Sequence, residues 1–165
     1  MTGSISELAA KLIVEGSLDV IAGKPGAQFP MPGGLALSNA RRAELGRPPG
    51  GGTVFYAIEP GEVAEQKGVF VDFQDSATTI WFNGPDSKHA LAIVEKAIKN
   101  AYPKIKQQSD KPHATEKGTR HRSYDVMLNK ERAVVLDVAY PASGAAKERF
   151  VVRIAAFAKP EKKQN

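Results

Sequence analysis

Residues 86–102, DSKHALAIVEKAIKNAY, decide the fold. Leu91, Val94, Ile98 and Ala101 recur at helical spacing, so on an α-helix they form one apolar stripe. Lys88, Glu95, Lys96 and Lys99 lie mostly away from that stripe, with Glu95 and Lys99 at the favourable i, i+4 separation. Pro85-Asp86-Ser87 supplies a turn and a capping oxygen, and Pro103 ends the helix. A helix with a single apolar stripe needs a surface to bury it on, and the sequence on either side supplies strands.

Before the helix, three stretches rich in β-branched and aromatic residues read as strands: TVFYAIEP from Thr53, GVFVDFQD from Gly68 and TTIWFNG from Thr78. A turn at Ser76-Ala77 sets Phe73 opposite Ile80 and Val71 opposite Phe82, uniting the apolar set on one face. Phe70, Asp72, Gln74 and Trp81 then share the other face, which is either covered by the N-terminal segment or an exposed binding surface. After the helix, strands are expected over Arg122–Leu128, Ala133–Tyr140 and Phe150–Ala158. Tyr124, Val126 and Leu128 share a face with Val134, Leu136 and Val138 only if the turn at Asn129-Lys130-Glu131 has an odd number of residues. The same alternation puts Asp137 and Arg153 together on the opposite face, in position for a cross-strand ion pair.

Near the N-terminus, Ser4-Ile5-Ser6-Glu7 has the form of a capping box. It predicts a helix carrying Ile5, Leu8 and Leu12, with Gly16 as its stop. Leu18–Ala22 reads as a strand or as a further helical turn. From Gly23 to Gly52, repeated Gly and Pro exclude a long regular element, except that Ser38–Leu45, SNARRAEL, fits a two-turn helix with Ser38 or Asn39 as its cap and Gly46 after it. The rest of that stretch is expected to be an extended or mobile surface segment.

The organisation predicted is therefore one α+β domain. It comprises an N-terminal helical segment (1–22), a Gly/Pro-rich irregular segment (23–52), an α+β region (53–159) and a frayed tail (160–165). The sheet is expected to be antiparallel, of about six strands in two groups of three, with the central amphipathic helix 86–102 packed on one face and an N-terminal helix besides. At 165 residues with 42% hydrophobic composition, one core suffices.

The chain has no cysteine, which removes disulfides, thiolate metal sites and cysteine nucleophiles. No segment approaches the ~20 apolar residues of a membrane span, and no basic lead precedes the short apolar run Leu12–Val14. A cytoplasmic protein without a membrane partner is expected. Motifs for chemistry are sparse. GRPPGGGT (46–53) lacks the spacing and the following helix of a phosphate loop. His89, His113 and His121 lack the paired spacing of zinc ligands. Asp72 and Asp75, three apart on a strand, point to opposite faces, and Gly-x-Ser-x-Gly is absent. No catalytic residue, metal ligand or cofactor is assigned.

Charge is the remaining signal. Residues 1–52 carry 5 Lys/Arg and 4 Asp/Glu, residues 53–102 carry 4 and 7, and residues 103–165 carry 14 and 7. Residues 103–122 read as a polar, basic loop, and Lys104, Lys106, Lys111, Lys117, Arg120, His121 and Arg122 are the candidate anion or nucleic-acid contacts. Trp81, Phe70 and Tyr124 are candidate platforms for base stacking, with a place in the core the alternative for Trp81 and Tyr124. The expected function is a non-enzymatic binding protein for nucleic acid or another polyanion, with an acidic protein surface as the other partner such clustered cations would attract. Two alternatives stand beside it: an assembly component, homo-oligomeric or bound to another protein through residues 23–52, and a small enzyme for an anionic substrate using His113 or His121.

Overall fold

The computed structural model describes residues 4–58, 68–74, 77–83, 87, 89–142 and 149–157. Helix α1 (Ile5–Ile13) runs through a π-helical turn (Val14–Leu18) into α2 (Asp19–Ala22). Then come β1 (Leu35–Ala36), α3 (Asn39–Glu44), β2 (Gly52–Ala57), β3 (Gly68–Gln74), β4 (Ala77–Asn83) and α4 (Ala90–Ala101). Strands β5 (Ile105–Pro112), β6 (Thr119–Met127), β7 (Ala133–Pro141) and β8 (Arg149–Phe157) complete the order. All eight strands form one antiparallel sheet, β1-β2-β3-β4-β8-β7-β6-β5.

The α+β class holds, but six strands in two groups of three becomes eight strands in one sheet. The second four-strand meander turns back so that β8 pairs with β4, Ile80 standing opposite Val152 and Phe82 opposite Phe150. The additional strands are β1 and β5. Strand β5 lies where the sequence suggests a basic loop; it has polar residues on both sides because it is an edge strand, paired only with β6.

One face of the sheet carries the main core. Val54, Tyr56, Val69, Val71, Ile80, Phe82, Tyr124, Val126, Val134, Leu136, Val138, Phe150, Val152 and Ile154 meet Ala9, Leu12 and Ile13 of α1 and Ala90, Val94 and Ile98 of α4. Burying a side chain of the Val94 or Ile98 size contributes about 1.5–3 kcal/mol. Of the predicted stripe, Val94 and Ile98 are buried, while Leu91 and Ala101 are partly covered.

Helix α4 begins at Ala90 with His89 as its cap residue, not at Asp86, and no side chain caps it. The Ser87 hydroxyl expected to do so is buried and makes no hydrogen bond among the described residues; Pro85, Asp86 and Lys88 lie outside them. The N-terminal capping box is present, Ser4 Oγ accepting from Glu7 N–H at 3.0 Å and Glu7 accepting from Ser4 N–H at 2.9 Å. Gly16 does not stop the helix. It is buried against Met31 inside the π turn, and the chain stays helical until Gly23 closes α2 in the left-handed conformation, φ 82°.

The Gly/Pro-rich stretch straddles the edge of β2. On the helix side Phe29 packs edge-on against Phe73 and Met31 C=O accepts from the Tyr56 hydroxyl at 2.8 Å. At the edge β1 pairs with β2, where Gly34 is required because a Cβ there would overlap Val54 and Tyr56. On the other side α3, capped by Ser38, one of the two cap residues predicted, is flanked by Leu37 and Leu45, which lie over Phe55, Phe70 and Trp81. Segment 23–52 is therefore a cover for both faces of its own sheet.

Candidate binding surface

The outer face of the sheet, opposite α1 and α4, divides in two. Over β2, β3 and β4 it is closed by α3 and the residues after it. Asp72, 1% exposed, accepts from Thr53 Oγ1 at 2.5 Å, from Arg42 at 3.4 Å and from Arg47 Nε and Nη2 at 2.9 and 2.6 Å. A buried carboxylate is costly without such donors, and here two guanidiniums and a hydroxyl saturate it. Asp75, its sequence neighbour in the carboxylate pair considered above, lies outside the described residues, as does Ser76 of the expected turn.

Phe70 and Trp81, the candidate stacking platforms, stack on each other with ring centres 5.0 Å apart. They are 2% and 8% exposed. Phe55 packs on the far side of Phe70, and the Arg47 guanidinium lies 5.5 Å from the centre of the Trp81 ring. Both faces of the pair are thus taken by the protein's own groups. Tyr124 is buried in the main core.

The seven candidate anion contacts are spread over both faces and both ends of the β5–β6 hairpin. Arg120 and Arg122 point to the helix side. There Asp110 on β5 accepts from Arg120 Nε at 2.8 Å, from Arg122 Nε at 2.7 Å and from the Tyr140 hydroxyl at 2.7 Å. Arg122 continues to Glu95 of α4 at 3.1 Å, and Glu95 also accepts from the Tyr124 hydroxyl. This chain of charges ties the hairpin to the helix. Burial alone would raise the Asp110 pKa, but the donors Tyr140, Arg120 and Arg122 bring it down to about 2. Burial, reinforced by Glu95, holds the Tyr124 phenol above its ordinary range, and burial with Asp110 does the same for Tyr140.

Lys106 and Lys111 lie on the other face, opposite Asp125 and His121 in register. Lys104 precedes the strand and Lys117 sits in the connecting turn. All four lysines are exposed, and among the described residues none has a carboxylate within ion-pair distance. His121 Nε2 instead approaches Asp137 at 3.4 Å, and Ser123 Oγ donates to the same carboxylate at 2.8 Å. This is not the order of a nucleophilic triad, in which imidazole stands between hydroxyl and carboxylate. Both partners are about a third exposed (32% each) on an open sheet face. Arg153 stands opposite Asp137 as the alternation predicts, while the Asp137 carboxylate is engaged by Ser123 and His121.

His113 is held locally, its Nδ1 accepting from Thr115 and Glu116 N–H at 3.2 and 3.1 Å. No group of three or more potential ligands that could hold a metal lies among the described residues, and no helix in them is long and apolar enough to cross a membrane. Among the features sequence reasoning missed at this surface is the buried Arg42–Asp72–Arg47 cluster, whose members are up to 30 residues apart and carry no local motif. Comparison of the chain with protein-family models, with curated proteins and with solved structures finds no match in any of the three.

Proposed function

We propose that the protein is a non-catalytic binding protein for polyanions, nucleic acid foremost, and that it engages them through the lysines of the β5–β6 hairpin. One observation supports this reading above the others. The hairpin's arginines are neutralised within the fold by Asp110 and Glu95, whereas Lys104, Lys106, Lys111 and Lys117 keep exposed ammonium groups without an acidic partner among the described residues. Exposed lysines near a phosphate backbone release condensed counterions, which gives affinity without base recognition. Arg120 and Arg122 thereby become supports of the hairpin, and with Phe70 and Trp81 enclosed the binding is expected to discriminate little between sequences.

Titration of labelled single- and double-stranded oligonucleotides at rising salt tests this. Binding should weaken linearly in log K against log salt, and each of Lys104, Lys106, Lys111 and Lys117 replaced by Ala should lower the slope by roughly one where it contacts phosphate. Absence of binding at low salt, or binding indifferent to all four replacements, refutes the proposal.

A further inference from the structure

Where the closed half of the outer face meets its open half, a cleft of about 280 Å³ lies between Arg47 and Pro48 on one side and Thr79 and Arg153 on the other, with Asp72 at its floor. We propose that this cleft is a second, separate site that binds the phosphate group of a small molecule.

One donor is arranged before any ligand arrives. Arg47 cannot turn away, because Asp72 takes its Nε and Nη2 and Trp81 lies beneath its guanidinium carbon. That leaves Nη1, which has no acceptor among the described residues. A guanidinium fixed along one edge and free at the other loses little freedom when it binds an oxyanion. Thr79 and Arg153 are cross-strand partners on β4 and β8, so a hydroxyl and a second guanidinium line the facing wall together. Arg153 is exposed and, among the described residues, forms no ion pair.

The local charge favours an anion. Asp72 is already matched by Arg42 and Arg47, so with Arg153 the described groups around the cleft carry two net positive charges. The alternative acceptor nearest Arg153 in register, Asp137, is occupied by His121 and Ser123. The volume lies just under the roughly 300–1,000 Å³ of pockets that enclose drug-sized ligands, which suits a phosphate with a small substituent. Two arginines and a hydroxyl match the several acceptor oxygens of such a group.

Calorimetric titration of the full chain with inorganic phosphate at low, constant ionic strength provides the test. Saturable binding on the order of millimolar is expected. Arg153→Ala, at an exposed position that should not affect folding, should weaken it by roughly tenfold, the equivalent of one charge-assisted hydrogen bond. The double variant Lys106→Ala, Lys111→Ala should leave it unchanged. Failure to saturate, full binding in Arg153→Ala, or equal loss in the lysine variant each overturns the proposal. Because the two sites use different residues, the oligonucleotide and phosphate experiments can fail independently of each other.

Discussion

Arg47 Nη2 lies 2.6 Å from Asp72 Oδ2, and the same guanidinium covers the face of Trp81. With Arg42 only 2% exposed on the other side of the carboxylate, Asp72 holds one buried and one half-buried cation at once. Replacing Asp72 by Ala strands the Arg42 charge in a dry environment, and about 3–5 kcal/mol of stability should be lost. Urea unfolding of the two proteins measures this directly; a difference within error would mean that the arginines find other acceptors.

Acid should loosen β5 from β6 and β7, whose Arg120, Arg122 and Tyr140 side chains Asp110 holds. The Asp110 carboxyl is depressed to about 2 in the folded chain, below its ordinary value near 4, so its contribution is complete above that ordinary value and disappears as pH falls towards 2. Asp110→Asn removes the ionised acceptor at every pH, and the variant should be about 1–3 kcal/mol less stable at neutral pH. Melting temperatures recorded from pH 7 to pH 2 should therefore converge for the two proteins at the acid end. Parallel curves would contradict the charge network.

Ser87 offers the opposite case. Its hydroxyl is fully buried and, among the described residues, unpaired, so Ser87→Ala removes a desolvated polar atom and should leave stability unchanged or raise it by about 1 kcal/mol. A clear loss in a thermal melt would reveal a partner for the hydroxyl.

The lysines of β5 also bear on self-association. An edge strand with open backbone groups invites pairing, and charge along it opposes that. Lys106→Val with Lys111→Val should shift the protein towards dimers or larger species, visible by sedimentation velocity at micromolar concentration. Unchanged monodispersity would mean that the bulge at Gln107–Ser109 and Pro112 are enough to guard the edge.

Local features were legible in the sequence. The Ser4–Glu7 box, the Ser38 cap and the three-residue turn that sets Tyr124 opposite Leu136 and Val126 opposite Val134 each depend on residues a few positions apart. The β3–β4 pairing shows where such reasoning weakens. Val71 stands opposite Ile80 and not Phe82, a shift of two that keeps every side chain on its predicted face. Alternation determines the face, but only the turn and the neighbouring strands choose among registers of equal parity. Strand β5 escaped because both its faces are wet, leaving no apolar period to read. Gly16 packs inside the helix against Met31, and Trp81 is enclosed by Arg47 and by Leu37 and Leu45 beside α3, contacts between residues far apart in sequence. For the candidate surface, the charge count drew attention to residues 103–122, but could not separate arginines matched by Asp110 and Glu95 from lysines left unmatched among the described residues.

The place of β8 has a consequence for synthesis. It is the eighth strand in chain order yet occupies the middle of the sheet, between β4 and β7. As the chain emerges from a ribosome, β4 with its Ile80, Trp81 and Phe82 has no neighbour on one side until some seventy residues later, when Arg149–Phe157 arrives. Closure of the sheet is then a late, long-range event, so folding should be slow relative to the formation of either meander. A nascent chain halted before β8 would display an apolar strand edge of the kind that chaperones capture.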